Sequence, residues 1–372
     1  MRLSQRRSQI DSSGIRKVFD LAASMKDPIN LSIGLPDFDV PDLVKESAID
    51  AIRAGKNRYT QTGGTPVLRQ AVRALYEKRG VPFDDVMIAS GTSGALFLVL
   101  LATVDPGDEV LIPDPYFVMY EALVKFLGAV PVLVDTYPDF RITAEALAKV
   151  TTPRTKMLIL NSPSNPTGTV YTEADAKAAV EFAEARGIII LSDEIYEPFC
   201  FDAEFVSPAK YARNPIIISG LSKTVAMTGW RLGWVVGPSD LIKAITEIQQ
   251  YTFVCAPSIA QEAALEGLKH DMRPANDDYR KRRDFIYNGL VNAGYRTPKP
   301  GGAFYIFPEA PNGDGGVFVS EAIKRNLLIV PGSVFSARNT NFRISFAASP
   351  EKLAAGLRVL EDLQKHFARN SG

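Results

Sequence analysis

The sequence predicts an α/β protein with a large domain, in which helices flank a mostly parallel β-sheet, and a smaller α+β domain formed by the two chain ends. Six short apolar runs predict the sheet: VMIAS, EVLIPD, AVPVLVD, KMLILNS, GIIILSDE and PIIISG. Segments with helical periodicity, such as TEADAKAAVEFAEARG, separate them. Because strands of a parallel sheet are buried on both faces, they form continuous Val/Ile/Leu runs rather than alternating patterns. We therefore expect ligands at the carboxyl ends of these strands.

The pattern changes after about residue 275, and this change predicts the smaller domain. A charged helix around DDYRKRRDFIYNGL leads to the strand candidates AFYIF and NFRISFA, and the helix EKLAAGLRVLEDLQKHFA follows. The extended segment LSIGLPDFDVP precedes the first long helix and is expected to join the same domain. The predicted division is residues 1–44 and 276–372 for the small domain and residues 45–275 for the large one.

Composition favours small-molecule chemistry. Lys plus Arg and Asp plus Glu number 42 each, so no net field attracts nucleic acid or an anionic membrane. The longest apolar run, ALFLVLLATV, falls short of the roughly 20 residues that cross a bilayer and predicts a buried helix. Cys200 and Cys255 lie far apart, which argues against a disulfide framework or a zinc site. We expect a cytoplasmic protein with no metal, nucleic-acid or membrane partner.

The basic N-terminus lacks the continuous apolar stretch of a secretory signal. Its apolar residues have helical spacing and predict an amphipathic first helix: Ile15, Val18, Phe19 and Ala22. The chain has two histidines, both in charged surroundings, and this scarcity weakens mechanisms that need a histidine base or a histidine-ligated metal.

A lysine follows one predicted strand in the segment GLSKTVAMTGWRLGW. Most lysines are solvated surface cations, but small and apolar neighbours surround Lys223. Burial lowers the pKa of a lysine and yields the free amine that forms an imine with an aldehyde. Arg231, eight residues later, is a candidate fixed cation for a phosphate.

An acid and a tyrosine follow another apolar strand in GIIILSDEIYEPF. The three-residue spacing of Asp193 and Tyr196 allows both side chains to enter one pocket. A buried acid needs a cationic partner, which a pyridinium nitrogen would supply, and Tyr196 would then bond the ring hydroxyl. The alternative on this motif alone is that Asp193 caps a turn and Tyr196 packs in the core.

A glycine-rich turn in IASGTSGALFLVL joins a strand to a helix. The backbone amides of Gly91, Thr92 and Ser93 would form an anion site at the helix start, although a plain capping turn is also open. The segment lacks the three-glycine dinucleotide pattern.

Three further residues are candidates for ligand contacts. Asn165 in LNSPSNPTG stands in a rigid turn at a strand end, where its amide can reach a site. Phe117 in DPYFVMY is able to stack on a flat ring, although core aromatics are commoner. Arg343 lies within the apolar strand NFRISFA, where an unpaired guanidinium is costly and a carboxylate ligand would remove that cost.

Together these segments resemble the fold-type I, class I and II aminotransferases, in the expected order over nearly the whole chain. The resemblance implies a seven-stranded sheet, pyridoxal 5'-phosphate as cofactor, a ping-pong reaction between an amino acid and a 2-oxo acid, and a homodimer with shared active sites. It also implies that Lys223 carries the cofactor as a Schiff base and acts as the proton-transferring base.

The resemblance assigns the other roles residue by residue. Asp193 pairs with the ring nitrogen, Phe117 stacks on the ring, and Asn165 and Tyr196 hold the ring oxygen. Arg231 holds the phosphate, with Tyr59 of NRYTQTGG reaching it from the neighbouring subunit. Gly34 of LSIGLPDF, Asn165 and Arg343 contact the substrate, the last of them through the α-carboxylate.

Two departures from the family pattern stand out. Gly220 occupies the position, three before the lysine, where many members have a phosphate-binding serine, although Ser222 remains beside Lys223. No Arg or Lys is placed by sequence at the distal carboxylate of aspartate or glutamate. The amino donor therefore stays open among aspartate, alanine, aromatic and other neutral amino acids, with 2-oxoglutarate as the expected acceptor.

Two alternatives remain at this point. The same residues serve a carbon–sulfur β-lyase or a cyclopropane-forming synthase. A transcription regulator with an aminotransferase-like sensor is more remote, because it requires a DNA-binding domain of some 60 residues before SIGLPDF.

Overall fold

The computed structural model describes residues 4–10 and 14–370. Their strands alternate with helices through the middle of the chain, as the sequence predicts. The strands are β1 (Ile29–Asn30), β2 (Asp85–Ala89), β3 (Glu109–Asp114), β4 (Val130–Asp135), β5 (Thr155–Asn161), β6 (Ile189–Asp193), β7 (Ile216–Gly220), β8 (Gly233–Gly237), β9 (Tyr305–Ile306), β10 (Leu327–Leu328), β11 (Val330–Pro331) and β12 (Phe342–Ser345).

The α-helices pack around these strands. They are α1 (Gly14–Ser24), α2 (Asp42–Arg53), α3 (Pro66–Lys78), α4 (Gly91–Thr103), α5 (Val118–Phe126), α6 (Ala144–Val150), α7 (Glu173–Glu184), α8 (Ser239–Thr252), α9 (Ser258–Gly267), α10 (Arg273–Asn292), α11 (Gly315–Lys324) and α12 (Pro350–Asn370). Within the described ranges, none of these helices has the length and apolar character that crossing a membrane requires.

Seven strands form one sheet in the order β2-β8-β7-β6-β5-β3-β4. All pairs are parallel except those of β8, which runs antiparallel to both β2 and β7. This mostly parallel sheet confirms the α/β prediction. The six apolar runs form six of its strands, and the seventh, GWVVG, is a five-residue run with glycine at each end.

Helices bury the sheet on both faces. Helices α4, α5 and α8 contribute to one apolar cluster with the strands, whereas α2, α3 and α9 contribute to a second and α6 and α7 to a third. Helix α4 contains the run ALFLVLLATV, and Leu96, Leu98 and Val99 are buried on different sides of it. The prediction of a buried helix is therefore confirmed.

The two ends of the chain meet in small sheets. Strand β1 pairs in parallel with β10, and β11-β12-β9 form an antiparallel sheet. The backbone N–H of Ser345 donates to the carbonyl of Leu31, which ties the early extended segment to β12. Strands β9 and β12 are the predicted runs AFYIF and NFRISFA.

Helix α1 is the predicted amphipathic first helix. Val18 is buried, and Ile15 packs against an apolar cluster that includes Phe335 of the same chain. The side chain of Phe19 lies outside what the structure describes. The apolar side of this helix, as far as it is described, thus packs on its own chain.

Candidate active site

A cavity of about 330 Å³ lies where β5 and β6 end, beside the first turn of α4. It brings together nine residues that the sequence singles out. They are Thr92, Ser93, Phe117, Asn165, Asp193, Tyr196, Ser222, Lys223 and Arg231. The position at the carboxyl ends of parallel strands is the one expected for this sheet.

Lys223 presents an amine to this cavity. Its half-buried side chain donates from Nζ to the backbone carbonyl of Gly34 at 2.8 Å. Burial, together with the nearby charges of Arg343 and Arg231, lowers the pKa of Lys223 to about 8, against the opposing effect of Asp193. The amine is therefore much closer to its neutral, nucleophilic form near neutral pH than an exposed lysine is.

Asp193 is a buried carboxylate at the end of β6. Its Oδ2 accepts a 2.7 Å hydrogen bond from the hydroxyl of Tyr120, and its Oδ1 accepts the N–H of Ile195 at 3.2 Å. Burial raises the pKa of Asp193 to about 6, although both hydrogen bonds and the charge of Lys223 oppose this rise. Asp193 thus braces the following turn and also faces the cavity, so the two sequence interpretations are compatible.

The first turn of α4 and Arg231 form a cationic end of the cavity. Ser90 precedes the helix without making a side-chain cap, so the first N–H groups of α4 are not capped by it. Gly91 has φ of 74°, and a Cβ there would lie 2.7 Å from Nη2 of Arg231. The guanidinium therefore packs directly against the helix start, where the amides and the helix dipole also favour an anion.

Gly220 is explained by the close packing of two strands. A Cβ at this position would lie 2.8 Å from the carbonyl oxygen of Leu232 and 2.9 Å from Cα of Gly233. A serine at position 220 would require the backbone of β7 or β8 to move. Ser222 and Thr228 both line the cavity and supply hydroxyl groups near Lys223.

Arg343 is a buried cation with neutral partners. It is 1% exposed, and it donates from Nη1 to Oδ1 of Asn165 at 2.9 Å and from Nη2 to the carbonyl of Ser32 at 2.7 Å. Its Nε has no hydrogen-bond partner among the described residues. Burial lowers the pKa of Arg343, and neither contact neutralises its charge. Such a guanidinium suits an incoming carboxylate.

Three predicted residues outside the cavity lining adjoin it. Gly34 accepts from Lys223, Gly91 contacts Arg231, and Arg343 reaches the cavity through Asn165. Tyr59 stands apart, with 83% of its surface exposed.

Sequence reasoning missed several residues of the site. Leu35, Tyr120, Asn161, Ile195 and Thr228 also line the cavity, and Tyr305 lies behind Tyr196 with their hydroxyl oxygens 2.8 Å apart. Tyr120 follows Phe117 within DPYFVMY, and Tyr305 stands in the strand candidate AFYIF, and no local pattern singles out either side chain as a ligand contact. Leu35 and Ile195 are direct chain neighbours of predicted residues, which was the available signal.

Comparison with known proteins decides the family. The family model described as aminotransferase class I and II matches residues 26–360. The chain belongs to this family. This aminotransferase is 38% identical to the "Probable aspartate aminotransferase" of Methanocaldococcus jannaschii, over 97% of its own length and 99% of the relative's.

Two further relatives show the breadth of the family. The "Probable N-acetyl-LL-diaminopimelate aminotransferase" of Bacillus subtilis is 39% identical, with 96% of this chain and 95% of that protein covered. The solved aspartate aminotransferase of Thermus thermophilus with maleate superposes with a TM-score of 0.93 at 34% identity, covering 98% of this chain and 100% of that chain.

The chain is therefore an amino acid aminotransferase that depends on pyridoxal 5'-phosphate. The relatives disfavour the lyase alternative. The cavity fits the cofactor on its own evidence: an amine of lowered pKa, a buried carboxylate, an uncapped helix start beside an arginine, and a buried guanidinium with an unused donor.

Proposed function

We propose that Lys223 holds pyridoxal 5'-phosphate and transfers the substrate α-proton. The observation that carries this proposal is the position of its Nζ, which lies in one cavity with Asp193 and Arg231 and bonds the carbonyl of Gly34. A lysine of lowered pKa is able to attack an aldehyde as a neutral amine and later to accept a proton. When bound, the cofactor supplies the electron sink for the reaction.

Asp193 would hold the protonated ring nitrogen of the cofactor. A buried carboxylate gains most from a cationic partner, because burial disfavours its charge when it stands alone. Tyr120 and the N–H of Ile195 fix both carboxylate oxygens. Phe117, half-buried beside Tyr120 with ring centroids 5.7 Å apart, would cover one face of the cofactor ring.

The cationic end of the cavity would bind the cofactor phosphate. Arg231, the amides that begin with Gly91, Thr92 and Ser93, and the hydroxyl of Ser222 supply charge and donors there. Ser222 would then supply the hydroxyl that many family members have at the position of Gly220. Asn165 and Tyr196 would hold the ring oxygen, and the Asn165 amide nitrogen is free for this role because Arg343 uses the side-chain oxygen.

Arg343 would bind the α-carboxylate that both substrates share, and Gly34 would contact the bound substrate. A carboxylate would neutralise the guanidinium and use its unpaired Nε. We propose 2-oxoglutarate as the acceptor, in a ping-pong reaction whose donor is aspartate, alanine, an aromatic or another neutral amino acid. A panel of donors with 2-oxoglutarate, read out as glutamate formed, would identify the class.

We further propose a homodimer in which Tyr59 of the partner subunit completes the phosphate site. Tyr59 is exposed, yet its loop is firmly held: Gln261 donates to Thr60, and Gln249 donates to the carbonyl of Thr62. Both glutamines are fully buried. An aromatic side chain that projects from such an anchored loop suits contact with another subunit.

A large and a small domain, divided after residues 44 and 275, remain our proposal for the organisation of the chain. A cytoplasmic location is also proposed, and it is supported by the free thiols of Cys200 and Cys255.

The central test is to reduce the loaded enzyme with borohydride and map the cofactor by mass spectrometry. We expect the label on Lys223, and its loss in Lys223→Ala. The exposed Lys324 provides a matched control, because Lys324→Ala should keep both the label and the activity. A label on another lysine would overturn the proposal.

A further inference from the structure

Tyr305 lies directly behind the cavity and contacts three residues in or beside it. The residue is in β9 and is 1% exposed. Its hydroxyl oxygen is 2.8 Å from that of Tyr196, and either group is able to donate. Tyr196 lines the cavity and Tyr305 does not, so Tyr305 is placed to act on a ligand only through its neighbours.

The second contact is with the turn at Gly34. A Cβ atom at Gly34 would overlap the hydroxyl of Tyr305, so the phenol lies against the glycine backbone. The carbonyl of the same glycine accepts the hydrogen bond from Lys223. The Tyr305 phenol thus supports the turn that holds the amine.

The third contact is with Arg343. The guanidinium carbon lies 4.5 Å from the centroid of the Tyr305 ring and 4.5 Å from that of Phe335. A cation over an aromatic face is attracted by the ring, most strongly where water is absent. The charge of Arg343 also makes the Tyr305 hydroxyl a better donor, since it opposes the rise in pKa that burial causes.

We propose that Tyr305 is a positioning residue that orients the Tyr196 hydroxyl toward the cofactor ring oxygen and supports Arg343 for the substrate carboxylate. The inference rests on the proposed roles of Tyr196 and Arg343. If Tyr196 donates into the cavity, its oxygen is left to accept, and Tyr305 is the donor beside it. Successive hydrogen bonds of this kind polarise and strengthen one another.

Tyr305→Phe removes the hydroxyl and keeps the ring. Tyr196 then becomes a weaker donor to the ionised ring oxygen, which disfavours that ionised form. We expect the pH midpoint of the visible absorbance of the bound cofactor to rise by about one unit. The KM for amino acids should change less than about threefold, because the ring under Arg343 remains.

Tyr305→Leu removes both the hydroxyl and the ring. We expect the same shift of the absorbance midpoint and, in addition, a rise of about tenfold in KM for amino and oxo acids, because Arg343 loses an aromatic support. If Tyr305 contributed only packing, both substitutions would lower the melting temperature. Tyr305→Phe would then not shift the absorbance midpoint while leaving KM nearly unchanged.

Tyr295→Phe is the matched control. Tyr295 is also a buried tyrosine, and its hydroxyl donates to the carbonyl of Leu360 at 2.8 Å, away from the cavity. Its loss should leave the absorbance titration unchanged. If Tyr305→Phe titrates like Tyr295→Phe, the role of Tyr305 is wrong. If the wild-type protein takes up no cofactor at Lys223, the proposed function itself fails.

Discussion

The hydroxyl of Tyr120 donates a 2.7 Å hydrogen bond to Oδ2 of Asp193, so the strongest partner of this buried carboxylate comes from α5 and not from its own strand. The bond lowers the pKa of Asp193 against the effect of burial. It also fixes the direction in which the carboxylate faces the cavity.

Tyr120→Phe should move the acid limb of the pH profile upward. Without the hydroxyl, the pKa of Asp193 rises, so less of the carboxylate is ionised at a given pH. We expect turnover to fall most at the acid end of the profile and to recover at higher pH, with an upward shift of the acid limb of about one unit. The pH dependence of kcat measures this effect, and a profile identical to that of the wild type would contradict it.

Asp193→Ala should cost far more turnover than cofactor occupancy. The proposed phosphate site and Lys223 would still hold the cofactor, but its ring nitrogen would lose its anionic partner. We expect kcat to fall by about 100-fold or more, the scale seen when a preorganised electrostatic partner is removed. Absorbance gives the occupancy and single-turnover kinetics give the rate. Near-normal exchange of the α-proton in this variant would show that Asp193 is misassigned.

Uptake of cofactor by the apoprotein should follow the titration of Lys223. Only the neutral amine attacks an aldehyde, so the uptake rate should rise by about tenfold per pH unit below the pKa and level off above about 8. Arg343→Ala removes a cation that lowers the pKa of Lys223, which should move the midpoint upward. Stopped-flow absorbance measures the rate. A wild-type midpoint near 10.5, the ordinary value for lysine, would contradict this assignment.

Arg343→Ala should also raise KM for amino acids and oxo acids together, since both present a carboxylate to the same guanidinium. The loss of a buried charge-assisted pair corresponds to about 2 to 5 kcal/mol. Steady-state kinetics of each half-reaction would show the effect, with Arg338→Ala as a control because Arg338 is exposed and bonded to Asp135. An effect on one half-reaction alone would point to a side-chain selector.

Sharing of sites between subunits is testable by complementation. Lys223→Ala and Tyr59→Ala should each impair the homodimer, the first in reaction and the second in phosphate binding. In a hybrid of the two variants, one site would combine the intact Lys223 with the intact Tyr59. With random pairing, half of the dimers are hybrids and each hybrid has one intact site. Co-expression should therefore restore about a quarter of all sites. No recovery in purified hybrids would mean that Tyr59 serves its own subunit.

Dilution provides an independent check of the dimer. The fraction of dimer measured by sedimentation and the specific activity should decline together over one dilution series, with cofactor lost as the subunits separate. A monomer with full activity would refute the shared site.

Much of the sheet, and the edge of it at which the cavity lies, was predictable because buried parallel strands have a distinctive composition. Asp193, Asn165 and Lys223 follow apolar runs, and the carboxyl ends of such runs meet at one edge. Tyr120 and Tyr305 were not predictable, since an aromatic residue in an apolar segment looks the same whether it packs or donates. The Arg343–Asn165 bond joins residues 178 positions apart, and no local pattern encodes it.

Glycines mark a second limit of sequence reasoning. Gly220 looked like a missing phosphate ligand, whereas the structure shows a place where two backbones leave no space for a side chain. Such a constraint arises from β8, whose antiparallel path is visible only in three dimensions. The domain boundaries stay a prediction.

The bond from Arg343 to the carbonyl of Ser32 joins two segments that the ribosome produces at very different times. A nascent chain exposes Ser32 early, but the guanidinium that binds there emerges only with β12. A polypeptide released before that strand would already contain Lys223 and Asp193, while lacking the guanidinium that we propose binds the substrate carboxylate. In the proposed assignment, selectivity for α-carboxylates is therefore among the last properties this protein acquires during its synthesis, after the residues for its chemistry have been made.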